Sequence, residues 1–275
     1  MSRILEQKAW RLVSDQSMPI LFLAVDGFNL IRRIFEARQP RNAQDVESVV
    51  DAAKGSLTRI LTKFSPSHAA VVFEDRGRTW RHLLSRDYKA NRSPTPDLLL
   101  NGLHEFVAGF QEIGVTDCKV PSYEADDVIG TIASVVAGLG GRTVIVSTDK
   151  VYLQLLSSEI TLFDYFNDRL WDRQSMRDHF GVSVDQYVDY LALIGDKSNN
   201  LKGVPGIGPK SALQLLSRYS DLESAITSAA DDKLANKVQA SKEDARRCRQ
   251  LVQLKTDVEL GRTLKSFRLS SSSKD

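Results

Sequence analysis

Only two cysteines, Cys118 and Cys248, occur in 275 residues, far apart in the chain, so neither a disulfide framework nor a zinc cluster can be built from them. No window holds the roughly 18 uninterrupted apolar residues of a membrane span. The opening stretch MSRILEQKAWRLVSDQ has no long apolar run and no small-residue cleavage site, so it does not read as a secretory signal. These absences lead to the expectation of a reduced, cytoplasmic protein without membrane contact. The four histidines are scattered and make no catalytic or metal set. No excess of one charge exists either: 37 basic against 35 acidic side chains leave +2, so any site for a polyanion must be local. There is no internal repeat and no dinucleotide fingerprint after the first apolar run. The nearest approach to a phosphate-binding Walker loop, GVPGIGPKS at 203–211, has Pro209 between Gly208 and Lys210. A phosphatase with an aspartyl nucleophile would want a second acid two residues after Asp26, where Phe28 stands.

What is present is an ordinary globular composition, 42% hydrophobic and 26% charged. Four apolar runs, at 20–25, 69–73, a weaker 116–120 and 143–147, read as buried parallel strands. Helical patterns at 46–64, 96–113 and 125–139 separate them, the last closed by Gly140-Gly141. A hairpin is expected from 160–165 and 169–171, turning at Asn167-Asp168. The predicted class is therefore α/β with a central, mostly parallel sheet. Beyond Asp172 the strand signal stops. Helices follow at 173–180, 184–194, 210–218 and 221–229, then a long helical stretch at 233–258.

The acids sit at telling places. Asp26 follows the first strand, Glu74 and Asp75 the second, and Asp149 the fourth, and open α/β sheets bind ligands outside the carboxyl ends of their strands. Glu124, Asp126 and Asp127 stand together in YEADD where a helix begins. For a single acid, helix capping would suffice. Three acids in four residues, converging with three strand-end acids, would repel unless cations lay among them. Oxygen ligands without histidine or cysteine point to Mg²⁺ or Mn²⁺.

Between Arg76 and Arg92 lie six basic residues and one acid, with Trp80 and Tyr88 interleaved, a local charge of +5. Such runs are commonly solvated faces, but this composition suits phosphate backbones and unstacked bases. Further on, Gly203, Gly206 and Gly208 link two helices. Their backbone N–H groups, with Lys210 and Ser211 in the next helical turn, suit a nucleic-acid phosphate.

Taken together, VDGFNLIRRIF, YKANRSPTPD, EADDVIGTIA, VSTDKVYLQLLS, DYFNDRLWD and GVPGIGPKSALQLL resemble the 5′ nuclease (flap endonuclease) family, most closely its small stand-alone exonuclease IX-like branch. The resemblance runs from Met18 to about Arg268. It implies a PIN-like nuclease core at 18–172 with a basic arch near 76–96, and a helix–three-turn–helix DNA-binding domain at 173–268. Residues 1–17 are then an extension the protein can dispense with, and 269–275 a disordered tail. The resemblance also implies two Mg²⁺ ions that activate a water and stabilise the leaving oxygen. Asp26, Glu74, Glu124, Asp126 and Asp127 match the positions around the first ion, and Asp126 and Asp127 count with Lys89 and Arg92 as catalytic. Lys89 and Arg92 match residues that hold the scissile phosphate, and Arg81 joins them as a DNA contact. A K⁺ ion would be held by main-chain carbonyls of Leu193, Ile194, Lys202, Val204 and Ile207, with DNA contacted by Gly206, Ile207, Gly208, Pro209, Lys210 and Ser211.

Two departures stand out. The second ion of the family draws on Asp-x-Asp and on two acids three residues apart. Here Asp149 is followed by Val151, and Asp196 by Asn199. The expected function is a Mg²⁺-dependent, structure-specific 5′ nuclease acting, as a monomer, on DNA flaps or 5′ ends in replication and repair. The alternative is a flap- or junction-binding protein with largely decayed catalysis. A ribonuclease sharing the core fits less well, because the helical annex and glycine hairpin suit duplex DNA.

Overall fold

A computed structural model describes residues 19–75, 77–228 and 232–269. Residues 1–18, Arg76, 229–231 and the tail beyond 269 lie outside the described residues, and with them the expectations placed there. Six strands form one sheet: β1 (Leu21–Asp26), β2 (His68–Val72), β3 (Thr116–Cys118), β4 (Arg142–Val146), β5 (Ile160–Asp164) and β6 (Arg169–Trp171). Their order is β3-β2-β1-β4-β5-β6; the first five run parallel and β6 pairs antiparallel with β5.

The inner strands β1, β2, β4 and β5 are largely apolar runs because both faces are covered, whereas the edge strands β3 and β6 are short and more polar. Alternate residues of β1 show it: Phe22 and Ala24 pack on the side of α6 (Ala125–Gly138). Leu23 and Val25 pack against α1 (Gly27–Arg38), α2 (Ala43–Phe64) and α5 (Leu103–Glu112). The β5–β6 hairpin turns where expected, through a 3₁₀ turn at Tyr165–Asn167 and Asp168 in the left-handed region at φ 45°.

Several elements differ from the sequence expectation, among them a helix at Trp80–Leu84 and a two-residue strand pair, Gly195–Asp196 with Leu201–Lys202, beyond Asp172 where no strand was expected. Helix α1 was not expected, because it begins with no turn residues between it and the strand: Asp26 ends β1 and also caps α1, accepting from the Asn29 N–H at 3.1 Å. The helix expected at 96–113 breaks at Gly102 into α4 (Asp97–Asn101) and α5. The stretch 233–258 is two helices, α11 (Lys233–Ala240) and α12 (Lys242–Val252), followed by extended chain. That extended segment returns to the core because side chains there take its N–H groups. Gln154 Oε1 accepts from Leu254 at 2.9 Å, Asp127 Oδ1 from Lys255 at 2.9 Å, and Thr131 Oγ1 from Val258 at 3.1 Å.

A short helix α3 (Trp80–Leu84) lies at the base of the basic segment. The annex contains α7 (Arg173–Phe180), α8 (Val184–Ile194), a two-residue strand pair β7 (Gly195–Asp196) and β8 (Leu201–Lys202), then α9 (Pro209–Arg218) and α10 (Leu222–Thr227) before α11 and α12.

Candidate active site

The chain winds outward in one direction through β1, β2 and β3, and in the other through β4, β5 and β6, so the switch point lies between β1 and β4. Asp26 and Asp149 emerge there. The second oxygen of Asp26 receives Ser147 Oγ at 3.0 Å and Tyr152 Oη at 3.3 Å, and Tyr152 Oη also lies 2.8 Å from Asp126 Oδ1. One hydroxyl proton cannot serve both carboxylates, so their charges face each other across it. Asp149 caps a 3₁₀ turn, Lys150–Leu155, by accepting from the Val151 N–H at 2.8 Å.

The electrostatics follow from that crowding. Burial, and after it the charges of Asp149 and Glu74, push the Asp26 carboxyl up to about 6, although hydrogen bonds from Asn29 and Ser147 work against the rise. Burial and then Asp149 hold Asp126 well above the usual carboxylate range. Asp149 is raised by burial and by Asp196, while the charges of Arg92 and Lys89 oppose the rise. The site thus carries more negative charge than its own cations neutralise. Oxygen-only acids that raise one another's pKa are the donor set a hard divalent cation fits. Among the described residues no three such side chains already enclose a common point. Tyr152 lies between Asp26 and Asp126, and the Lys89 ammonium lies between Glu124 Oε1 at 2.7 Å and Glu74 Oε2 at 3.9 Å.

Two expected site residues have other work. Arg81, read as a DNA contact, is 2% exposed, and Asp127, read as a catalytic metal ligand, is 0% exposed. They pair through Arg81 Nη1 to Asp127 Oδ2 at 2.7 Å and Nη2 to Oδ1 at 2.8 Å. Trp80 Nε1 and the Lys255 N–H use the remaining capacity of Asp127, at 2.9 Å each. Adjacent residues on a helix point about 100° apart, so Asp126 faces the carboxylate cluster while Asp127 faces α3. Glu124 is shared: Arg81 and Tyr88 hold Oε2, at 3.1 and 3.0 Å, and Lys89 holds Oε1. Sequence reasoning missed Tyr152 and Ser147, unremarkable polar residues until the fold sets their hydroxyls against an acid. It read Tyr88 as an aromatic of the basic segment suited to unstacked bases, whereas Tyr88 is buried with its hydroxyl on Glu124.

The basic segment reaches the same mouth. Lys89 stands at φ 57° and is mostly covered, whereas Arg92 is exposed. In the annex, Gly195 and Gly203 bring two backbones so close that a Cβ on Gly203 would lie 2.3 Å from the Leu193 carbonyl oxygen. Val204 N–H donates to that oxygen at 2.9 Å, and Ile207 N–H to the Val204 oxygen at 3.0 Å. Helix α9 begins at Pro209 after Gly208, which supplies no side-chain cap. The first-turn N–H groups and the exposed Lys210 are left to face an anion.

The N-terminal resolvase-like domain of 5′-3′ exonucleases matches residues 21–181, and their C-terminal SAM fold matches residues 182–275. The chain belongs to the 5′-3′ exonuclease family. Within the family, a flap endonuclease Xni of Shewanella piezotolerans is 41% identical over 250 residues, spanning 90% of this chain and 97% of that protein. Its counterpart from Vibrio parahaemolyticus is 38% identical over 263 residues, or 94% and 99% of the two chains. A solved structure of T5 5′-exonuclease with divalent zinc ions bound has a TM-score of 0.75 at 22% identity, covering 86% of this chain and 90% of that one, which is a likeness of fold. The two family matches meet between α7 and α8.

Proposed function

We propose that this protein is a divalent-metal-dependent, structure-specific 5′ nuclease that hydrolyses DNA phosphodiesters at 5′ flaps or 5′ ends. The observation that carries this reading is the convergence of Asp26, Asp126 and Asp149 at the sheet's switch point, beneath the cations Lys89 and Arg92. The names of the flap endonuclease relatives support it. Asp26, Asp126 and Asp149, with Glu74, Glu124 and Asp196 at the margin, would hold Mg²⁺ or Mn²⁺. Such an ion lowers the pKa of water and stabilises charge on a leaving oxygen. The protein's own part is orientation. Tyr152 and Ser147 fix the acids, and Lys89 and Arg92 receive the scissile phosphate. The hairpin of Gly206, Ile207, Gly208, Pro209, Lys210 and Ser211 grips the duplex backbone without reading bases.

A K⁺ ion on the carbonyls of Leu193, Ile194, Lys202, Val204 and Ile207 fits this arrangement. The Leu193 and Val204 oxygens each keep a second lone pair beyond the bond they accept. The protein acts as a monomer in the cytoplasm, where its DNA substrate lies; among the described residues no helix is long and apolar enough to cross a membrane.

The deciding assay is cleavage of a 5′-flap duplex labelled at its 5′ end. Release of a short labelled product should require Mg²⁺ or Mn²⁺ and stop in EDTA. Tight flap binding without cleavage in either metal would instead favour the binding-only reading. For the annex, Lys210→Ala should weaken duplex binding equally across sequences and reduce the salt slope by about one unit. An unchanged slope would remove Lys210 from the interface.

A further inference from the structure

Asn199 stands where the resemblance leads one to expect an acid, and both ends of its amide are engaged. Nδ2 donates to Asp196 Oδ2 at 2.5 Å, while Oδ1 accepts from Arg92 Nη2 at 2.6 Å. An amide can donate to a carboxylate and accept from a guanidinium at once, which an ionised aspartate, an acceptor only, cannot. The turn around it, Lys197–Asn199, is capped by Asp196, whose Oδ1 accepts from Ser198 N at 2.8 Å and Ser198 Oγ at 2.6 Å.

The basic segment is docked on this turn by more than Arg92. Lys89 N–H donates to the Asn199 carbonyl at 3.0 Å, Asn91 Nδ2 to the Lys197 carbonyl at 2.7 Å, and Arg92 Nε to the Ser198 carbonyl at 3.1 Å. From the other side, Asn200 Nδ2 donates to the Asp87 carbonyl at 2.7 Å. Lys89 lies in the left-handed region, which a non-glycine residue adopts at a cost unless its surroundings impose it. Its N–H bond to Asn199 is one of the constraints that impose it, and that backbone turn delivers the ammonium to Glu124.

We propose that Asn199 is a positioning residue: its amide ties Asp196 to Arg92, making the turn a template that sets the basic segment 87–92 over the carboxylate cluster before DNA arrives. The proposal rests on the nuclease reading for its purpose, but not for its geometry. An aspartate at 199 could still accept from Arg92, but it could no longer donate to Asp196 and would repel it. The position therefore serves the gateway at the expense of another metal ligand.

The test is hydrogen–deuterium exchange on the full chain, free of DNA and in EDTA, for wild type, Asn199→Ala and Asn91→Ala. Backbone exchange in 87–92 should quicken about tenfold in Asn199→Ala and by less in Asn91→Ala, with the helix Val184–Ile194 unchanged as a control for folding. Equal exchange in all three proteins would overturn the proposal. On the 5′-flap duplex, Asn199→Ala should cut the single-turnover rate about tenfold at saturating Mg²⁺ without shifting the Mg²⁺ midpoint. Asn199→Asp supplies the contrast: a lower Mg²⁺ midpoint with a faster rate would show that the position serves metal binding, and would also overturn the proposal. Failure of the wild type to cut flaps would count against the nuclease reading and leave the exchange result standing.

Discussion

Alanine at Arg81 should cost about 3–5 kcal/mol of folding free energy, the usual cost of leaving buried charge without its partner. Burial disfavours the guanidinium charge, but the bonds and charge of Asp127, with Glu124 beyond, outweigh it and raise the Arg81 pKa. Removing the cation leaves Asp127 and Glu124 facing each other, 0% and 2% exposed, with Trp80, Tyr88, Lys89 and the Lys255 N–H to answer them among the described residues. It also frees the carbonyls of Leu251 and Gln253, which accept from Arg81 Nε at 2.8 Å and Nη2 at 3.3 Å. Lysine should rescue little, since one ammonium cannot span two carboxylates and two carbonyls as a planar guanidinium does. Chemical unfolding of the metal-free proteins measures the loss. A variant that unfolds like wild type and only binds DNA more weakly would return Arg81 to the surface role first expected of it.

Asp126→Asn should do the reverse, removing activity while sparing the fold. Single-turnover flap cleavage should fall by about 10³ or more, since the amide cannot offer a cation a charged oxygen. In EDTA the variant should be the more stable protein. The Asp26 carboxyl sits at about 6 in the fold against 3.8 for the ordinary side chain, so the folded state binds more protons between those values. Stability from this cluster is therefore greatest below about pH 4 and falls as pH rises through about 6. Asp126 is raised in the same direction by burial, Asp149, Asp26 and Glu124, so removing its charge relieves that strain, and the advantage of the variant should be near zero at pH 4 and grow as pH rises to 7.5. Saturating Mg²⁺ should close the gap by stabilising only the wild type. Thermal melts across pH with and without Mg²⁺ check this; a variant less stable than wild type in EDTA at pH 7.5 would show that the acids are not in conflict.

The two variants also mark what the sequence discloses. The strand positions and the places of Asp26, Glu74 and Asp149 follow from apolar runs ending in acids, a pattern set by short-range chemistry, whereas the order of the strands in the sheet does not. The opposite fates of Asp126 and Asp127 do not, because the partner that claims Asp127 is 46 residues away, on a short helix with no strong pattern of its own. Tyr152 is hidden for the same reason: its significance is a hydroxyl set between carboxylates 126 and 26 residues distant. Asn199 reads as a missing acid in the sequence and becomes an amide with two partners only when Arg92 is brought to it.

The extended segment that follows α12 has a consequence for how the protein is made. Lys255 and Val258 bind Asp127 and Thr131 across more than 120 residues, and Leu269 N–H donates to the Ser67 carbonyl at 3.0 Å. A chain emerging from the ribosome exposes the sheet, α6 and every acid of the cluster well before these residues are synthesised. Until they arrive, the face of α6 that carries Asp127, Gly130 and Thr131 lacks its cover and Arg81 lacks the carbonyls of Leu251 and Gln253. Contacts this distant in sequence close late in folding, so the nascent catalytic half, although complete in its acids, stays loosely assembled while translation continues.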